Sequence, residues 1–207
     1  MEIKNIVFDL GNVLIKFDPR DNANAALFTD NEEDRNLLLD EVFNTVEWVQ
    51  VDRGSITREQ ALASINKRLP ERLHAGADLF VNGWFKDGRI DVIPGMEELI
   101  KELKVSGYKT YLLSNAGISF HEYYKDIPAL SLMDGLFISA DWHLLKPSET
   151  IYRTFCTHFS LNPPECFFID DLHINIEGAI NMGMPGFIFK GNIEKLKIAL
   201  RANGVKI

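Results

Sequence analysis

The feature that most constrains this chain is a short apolar run that ends on an acid. Ile6, Val7 and Phe8 follow one another, Asp9 comes next, and Gly11 stands two residues on. An unbroken apolar run suits a strand buried on both faces, as in a parallel sheet. Burying an unpaired carboxylate is costly, so a core strand that ends on Asp9 needs compensating partners. At the carboxyl end of a central strand, that side chain reaches the crevice where open α/β sheets bind ligands.

Further strands end in a similar way. Residues 109–113 read as a strand ending at Ser114, and residues 166–169 as one ending on Asp170 and Asp171. Strands are also expected at 135–139 and 186–189, and an extended run at 90–95 is closed by Pro94 and Gly95. Amphipathic helices fall at 96–103, closed near Gly107, and at 148–159, 175–182 and 193–202. Strands that alternate with helices predict an α/β fold: a Rossmann-like, mostly parallel sheet covered on both faces, with right-handed crossovers.

The pattern changes between about residues 23 and 87. Leu37, Leu38, Leu39, Val42, Phe43, Val46 and Val49 recur at helical intervals, as do Ala61, Leu62, Ile65 and Leu69. Asp52-Arg53-Gly54-Ser55 reads as a turn between helices, and the polar stretch Asp18-Pro19-Arg20-Asp21-Asn22 as a linker. The expected organisation is an α/β core at 1–16 and 89–207, interrupted by a helical insertion at 17–88. A chain of 207 residues suits one domain with a large insertion.

Net charge is −8 with no basic cluster, which argues against nucleic acid as a partner. The opening residues lack a signal-peptide pattern and no apolar segment approaches membrane-spanning length, so a cytoplasmic protein without membrane partners is expected. Cys156 and Cys166 are too few for a disulfide framework and suit buried free thiols. A monomer is expected, with a dimer as the alternative.

In a parallel sheet the strand ends share one edge, so Asp9, Ser114 and Asp170-Asp171 can converge there. Lys146, followed by Pro147, lies just beyond a fourth strand. Three carboxylates repel one another unless a cation joins them. Mg²⁺, which takes a few carboxylate and carbonyl oxygens with water and substrate phosphate, is the natural candidate.

Four motifs in order resemble the haloacid dehalogenase superfamily in its metal-dependent phosphatase branch: Asp9-Leu10-Gly11-Asn12-Val13, Leu113-Ser114-Asn115, Lys146-Pro147, and Phe168-Ile169-Asp170-Asp171 with Asn175. The helical insertion falls where that family carries its C1 cap. The first motif and the run from Asp170 to Ala179 are most similar to an α-D-glucose-1-phosphate phosphatase subgroup. The resemblance implies Asp9 as nucleophile forming an aspartyl-phosphate. It implies Mg²⁺ on Asp9, the Gly11 carbonyl and Asp171, with Asp170 direct or through water. Ser114 and Asn115 would bind the phosphoryl group, with Asn12 and Arg53 as further substrate contacts. Lys146 would supply a cation, and Asn175 would orient the acidic pair.

One departure matters. Most phosphatases of that family place a general acid–base two residues after the nucleophile, where this chain has Gly11. Losing such a group typically forfeits about 10² to 10⁴ in rate. Either the leaving group is acidic, such as a sugar's anomeric oxygen, or another residue substitutes; Asp18 and His173 are the candidates. The implied substrate is a small phosphorylated metabolite, a sugar phosphate such as glucose 1-phosphate. Metal-independent dehalogenation and a weakly active phosphate-binding regulatory role are the alternatives. Trp48 and Trp84 could form a sugar-stacking wall, although helix core suits each better. His121 could line a pocket or sit half-exposed on a helix, while His74, His143 and His158 read as structural.

Overall fold

A computed structural model describes residues 2–20, 31–86 and 90–207. Its strands are β1 (Asn5–Phe8), β2 (Lys109–Ser114), β3 (Gly135–Ile138), β4 (Cys166–Asp170) and β5 (Gly186–Ile188). They form one sheet in the order β3-β2-β1-β4-β5, with every neighbouring pair parallel. The first strand is therefore central, which explains its unbroken burial.

Side-chain alternation divides the sheet into two cores. Ile6, Phe8, Leu112, Phe167 and Ile169 point to one face and pack with α5 (Met96–Val105) and α10 (Ile193–Ala202). Val7, Leu113, Cys166 and Phe168 point to the other and pack with α8 (Glu149–Phe159) and α9 (His173–Asn181). Both cysteines are buried free thiols.

Between β1 and β2 the described residues form α1 (Glu32–Leu38), a π-helical turn (Leu39–Phe43), α2 (Val46–Arg53), α3 (Arg58–Ile65) and α4 (His74–Gly83). These helices enclose a cluster of their own, including Leu38, Val42, Ala61, Ile65 and Phe80. A capping box starts α3: the Thr57 hydroxyl accepts from the Gln60 backbone and the Gln60 side chain accepts from the Thr57 backbone. The short helices α6 (Phe120–Tyr123) and α7 (Ser139–Trp142) follow β2 and β3.

Three local expectations change. The turn expected at 52–55 begins later, because α2 runs through Asp52 and Arg53 and stops on Gly54 at φ 71°. A Cβ at Gly54 would lie 2.4 Å from the Ala140 carbonyl, so glycine serves both the left-handed cap and the close approach to α7. Residues 90–95 make no strand of the sheet; Val92 forms an isolated antiparallel bridge with Ile15. Ser139 opens α7 rather than ending β3. Asp21 and Asn22 of the expected linker lie outside the described residues. Among the described residues, no helix is long and apolar enough to cross a membrane.

Candidate active site

The site begins where β1 leaves the sheet. The last ladder pairs, Phe8↔Leu112 and Phe8↔Ile169, bring Asp9 level with the ends of both neighbouring strands. Lys146 crosses beneath this edge: its Nζ donates to Asp9 Oδ1 at 2.8 Å, Asp170 Oδ2 at 2.6 Å and the Leu113 carbonyl at 3.0 Å. The Lys146 and Asp170 side chains are 1% and 0% exposed, so this is a buried ion network and not a surface pair.

Burial by itself would neutralise such groups, and their mutual charges oppose it. For Lys146, burial works against the ammonium, but Asp170 and Asp9 outweigh it and hold its pKa above the ordinary value. For Asp9, burial is the largest influence and pushes the carboxyl up to about 6; Lys146 offsets part of the rise and Asp170 adds to it. Burial also raises Asp171, partly countered by the amide of Asn12.

Neighbouring backbone holds these side chains in place. Both oxygens of Asp170 are occupied: Oδ1 accepts from Leu172 N at 2.8 Å, and Asn175 Nδ2 reaches Oδ1 at 3.0 Å and Oδ2 at 3.1 Å. Asn12 adopts φ 55°, a left-handed conformation that asparagine tolerates. Its Nδ2 donates to Asp171 Oδ2 at 3.1 Å and its Oδ1 accepts from Phe17 N at 3.1 Å. Asn115 and Lys146 bond reciprocally, side-chain amide to backbone, at 3.0 and 2.9 Å, which ties the end of β2 to the lysine loop.

Beside this network lies a cavity that the helical insertion helps to line. Gly11, Ser114 and Asn115 line it from the sheet side. Val42, Trp48, Val51, Ala61, Ile65 and Val81 line it from the insertion, with Phe17, Trp84 and Tyr123 between. Trp48 and Trp84 pack against core clusters, and both also line the cavity.

Several expected residues do not reach this cavity. Arg53 is exposed, and its backbone carbonyl faces His143 Nδ1 at 3.3 Å, because the last turn of α2 directs the neighbouring Asp52 inward instead. Asp18 is exposed and accepts from Arg20 N at 2.8 Å. The His173 side chain is 77% exposed, beside Glu177. Asn12 bonds Asp171 and does not line the cavity. His121 is exposed, with Nε2 3.0 Å from Asp141, and His74 Nε2 lies 3.1 Å from the Leu69 carbonyl. His158 packs edge-on against Trp142.

Two charged residues that line the cavity were missed from the sequence: Asp52 and Arg58. The available signal was helical phase, since Asp52 stands four residues after Trp48 and shares its face, whereas Arg53 is turned away. The guanidinium of Arg58 pairs with Glu122 of α6, so it also ties the insertion to the core.

The chain belongs to the haloacid dehalogenase-like hydrolase family, whose model matches residues 3–183. It is therefore a hydrolase on a family fold that the sheet order and site describe. It is 26% identical to a sesquiterpene phosphatase from Aspergillus oryzae over 186 residues, 88% of each chain. It is 25% identical to a D-ribitol-5-phosphate phosphatase from Bacteroides thetaiotaomicron over 202 residues, 89% of this chain and 91% of that one. Among solved structures, a family enzyme from Bacteroides thetaiotaomicron in complex with magnesium and inorganic phosphate superimposes with a TM-score of 0.66 at 22% identity, covering 92% of this chain and 96% of that one. That likeness establishes the fold.

Proposed function

We propose that the chain is a Mg²⁺-dependent phosphatase that hydrolyses a small phosphomonoester through an aspartyl-phosphate on Asp9. The observation that carries this reading is the buried Asp9–Lys146–Asp170 network beside a cavity lined by Gly11, Ser114 and Asn115. A carboxylate held by an ammonium at 2.8 Å is a fixed nucleophile with its charge preserved.

The donor set fits Mg²⁺. One atom each from Asp9, Asp170 and Asp171 lies within 4.8 Å of the others, all are hard oxygens, and three carboxylates face one buried ammonium. Because hydrogen bonds occupy both oxygens of Asp170, Asp9, the Gly11 carbonyl and Asp171 would hold the ion directly, with Asp170 reached through water. Bound there, Mg²⁺ supplies positive charge for the phosphoryl oxygens. Asp9 attacks phosphorus, Lys146 steadies the nucleophile and the phosphoryl group, and Ser114 and the Asn115 backbone donate hydrogen bonds to it. Asn175 orients Asp170. The insertion at 17–88 acts as a cap on the core at 1–16 and 89–207, excluding water and selecting the leaving group.

For the leaving group, the cavity lining supports an apolar or aromatic organic phosphate. Beyond the phosphoryl end its walls are mostly aliphatic and aromatic. Buried hydroxyls of a sugar would find few partners there, and unpaired polar groups are costly. The sesquiterpene phosphatase relative accords with this reading. A sugar or polyol phosphate, such as glucose 1-phosphate, is the second reading, favoured by the ribitol phosphate relative.

The test is a phosphatase screen with and without Mg²⁺ over prenyl, aryl and simple alkyl phosphates, hexose 1-phosphates and polyol phosphates. The expected outcome is Mg²⁺-dependent release of phosphate with the highest kcat/KM on the apolar esters. A preference for hexose 1-phosphates would reverse the substrate assignment, and turnover in chelator would remove the metal.

A further inference from the structure

Breaking a P–O ester bond leaves an alkoxide that must acquire a proton, and no side chain at Gly11 can deliver one. Asp18 and His173 are too exposed and point elsewhere. Among the described residues lining the cavity, one carboxyl remains: Asp52, on the last turn of α2.

Its placement is built. The Gly117 backbone N–H and the Trp48 side chain both donate to the Asp52 carboxyl. The Asp52 backbone carbonyl accepts from Ser139 Oγ at 2.6 Å, and that hydroxyl in turn accepts from Ala116 N at 2.9 Å. At Gly117 an added Cβ would come within 3.0 Å of Val51 Cγ1, so the core loop and α2 are in close contact. The carboxyl is thus carried by the insertion but aimed by the core.

We propose that Asp52 is the general acid–base of the reaction, giving a proton to the leaving-group oxygen and then taking one from the attacking water. This rests on the phosphatase reading. In the first step Asp9 forms a bond to phosphorus, the bond from phosphorus to the leaving oxygen breaks, and that oxygen takes the Asp52 proton. In the second, water oxygen attacks phosphorus, the bond to Asp9 breaks, and the water's proton returns to the Asp52 carboxylate. The sum is ester plus water giving alcohol plus phosphate.

The surroundings suit the role. Burial pushes the Asp52 carboxyl up to about 8, against the two hydrogen bonds it accepts and with help from the charge of Asp9 on β1. It therefore enters the cycle protonated at neutral pH. Of the other ionisable groups around it, Arg58 on α3 is paired with Glu122. The Tyr123 hydroxyl on α6 is itself raised, by burial and then by Asp52. His143, beyond α7, faces the Arg53 carbonyl.

The experiment is rapid-quench single turnover of the full chain with Mg²⁺, comparing a simple alkyl phosphate with p-nitrophenyl phosphate, whose leaving group needs no proton. Asp52→Asn is expected to slow transfer from the alkyl phosphate by about 10² to 10⁴. It should leave the nitrophenolate burst near the wild-type rate while phosphoenzyme accumulates, because the second step lacks its base. Adding Gly11→Asp in that background is expected to recover alkyl phosphate turnover, since a Cβ at Gly11 would lie an ordinary 3.7 Å from Phe17 Cβ. A second readout needs no variant: wild-type transfer from the alkyl phosphate should fall as pH rises through about 8, and the nitrophenolate burst should not. Equal loss on both substrates, no loss on either, or identical pH profiles would overturn the proposal while leaving the phosphatase reading intact. A wild-type enzyme silent on every ester would overturn both.

Discussion

The two sides of the cavity are built on opposite principles. The floor lies against a network in which Asp9, Asp170 and Lys146 are buried and Asp171 is half-buried, tied together by hydrogen bonds from strand ends and loops. The roof is aliphatic and aromatic, with Asp52 and Arg58 as its charged members among the described lining residues. In the proposed mechanism phosphoryl chemistry depends on the floor, where charge is concentrated. In the proposed reading the roof meets the part of the substrate that differs from one phosphomonoester to the next. On that reading, a floor on strand ends and a roof on a helical insertion would let the leaving group change without disturbing the reacting groups.

Breaking the floor should have the largest effect. Asp9→Asn keeps the shape but removes the proposed nucleophile, and phosphate release should drop by at least about 10⁴-fold in a steady-state assay. Next comes Lys146→Met, which leaves Asp9 and Asp170 buried without their cation. Breaking a buried pair in this way costs about 3–5 kcal/mol, to be read from urea unfolding along with lost activity. A roof substitution should act on substrate choice instead. Trp84→Ala is expected to raise KM for an apolar aryl phosphate by about 5- to 10-fold, through lost aromatic burial, with little change in kcat. Equal losses of kcat from Trp84→Ala and Asp9→Asn would erase the division between floor and roof.

The smallest effect concerns stability and pH. The folded state holds the Asp52 proton more tightly than the unfolded chain does, with a pKa of about 8 against an ordinary 3.8. Between those values the native protein binds more protons, so Asp52 costs stability progressively as pH rises through that window, and the cost levels off above it. Asp52→Asn should therefore gain melting temperature over wild type, by little near pH 4 and by most above pH 8. A gain that shrinks with pH would contradict the burial of this carboxyl.

The floor was legible because its signals are local. An apolar run closed by a polar residue marks a strand end, and parallel strands must present those ends on one edge. Asp9, Ser114, Asp170 and Asp171 could thus be placed together although they are far apart in the chain. Asn12 and Arg53 were misplaced for a related reason: adjacency to the right motif says nothing about which way a loop or helix turn directs a side chain. The left-handed conformation of Asn12 sends its amide to Asp171, and the phase of α2 sends Arg53 outward.

What the sequence by itself determined is the α/β alternation, the helical insertion and the polar residues on which strands end, since periodicity and burial cost are properties of short segments. Only the tertiary structure decided that Asp52 faces the cavity. Its position depends on Gly54 fitting against Ala140, on Ser139 bonding its carbonyl, and on Gly117 and Trp48 holding its carboxyl. Apart from the helical phase it shares with Trp48, those contacts join segments far apart in the chain, and no local pattern of residues could announce them.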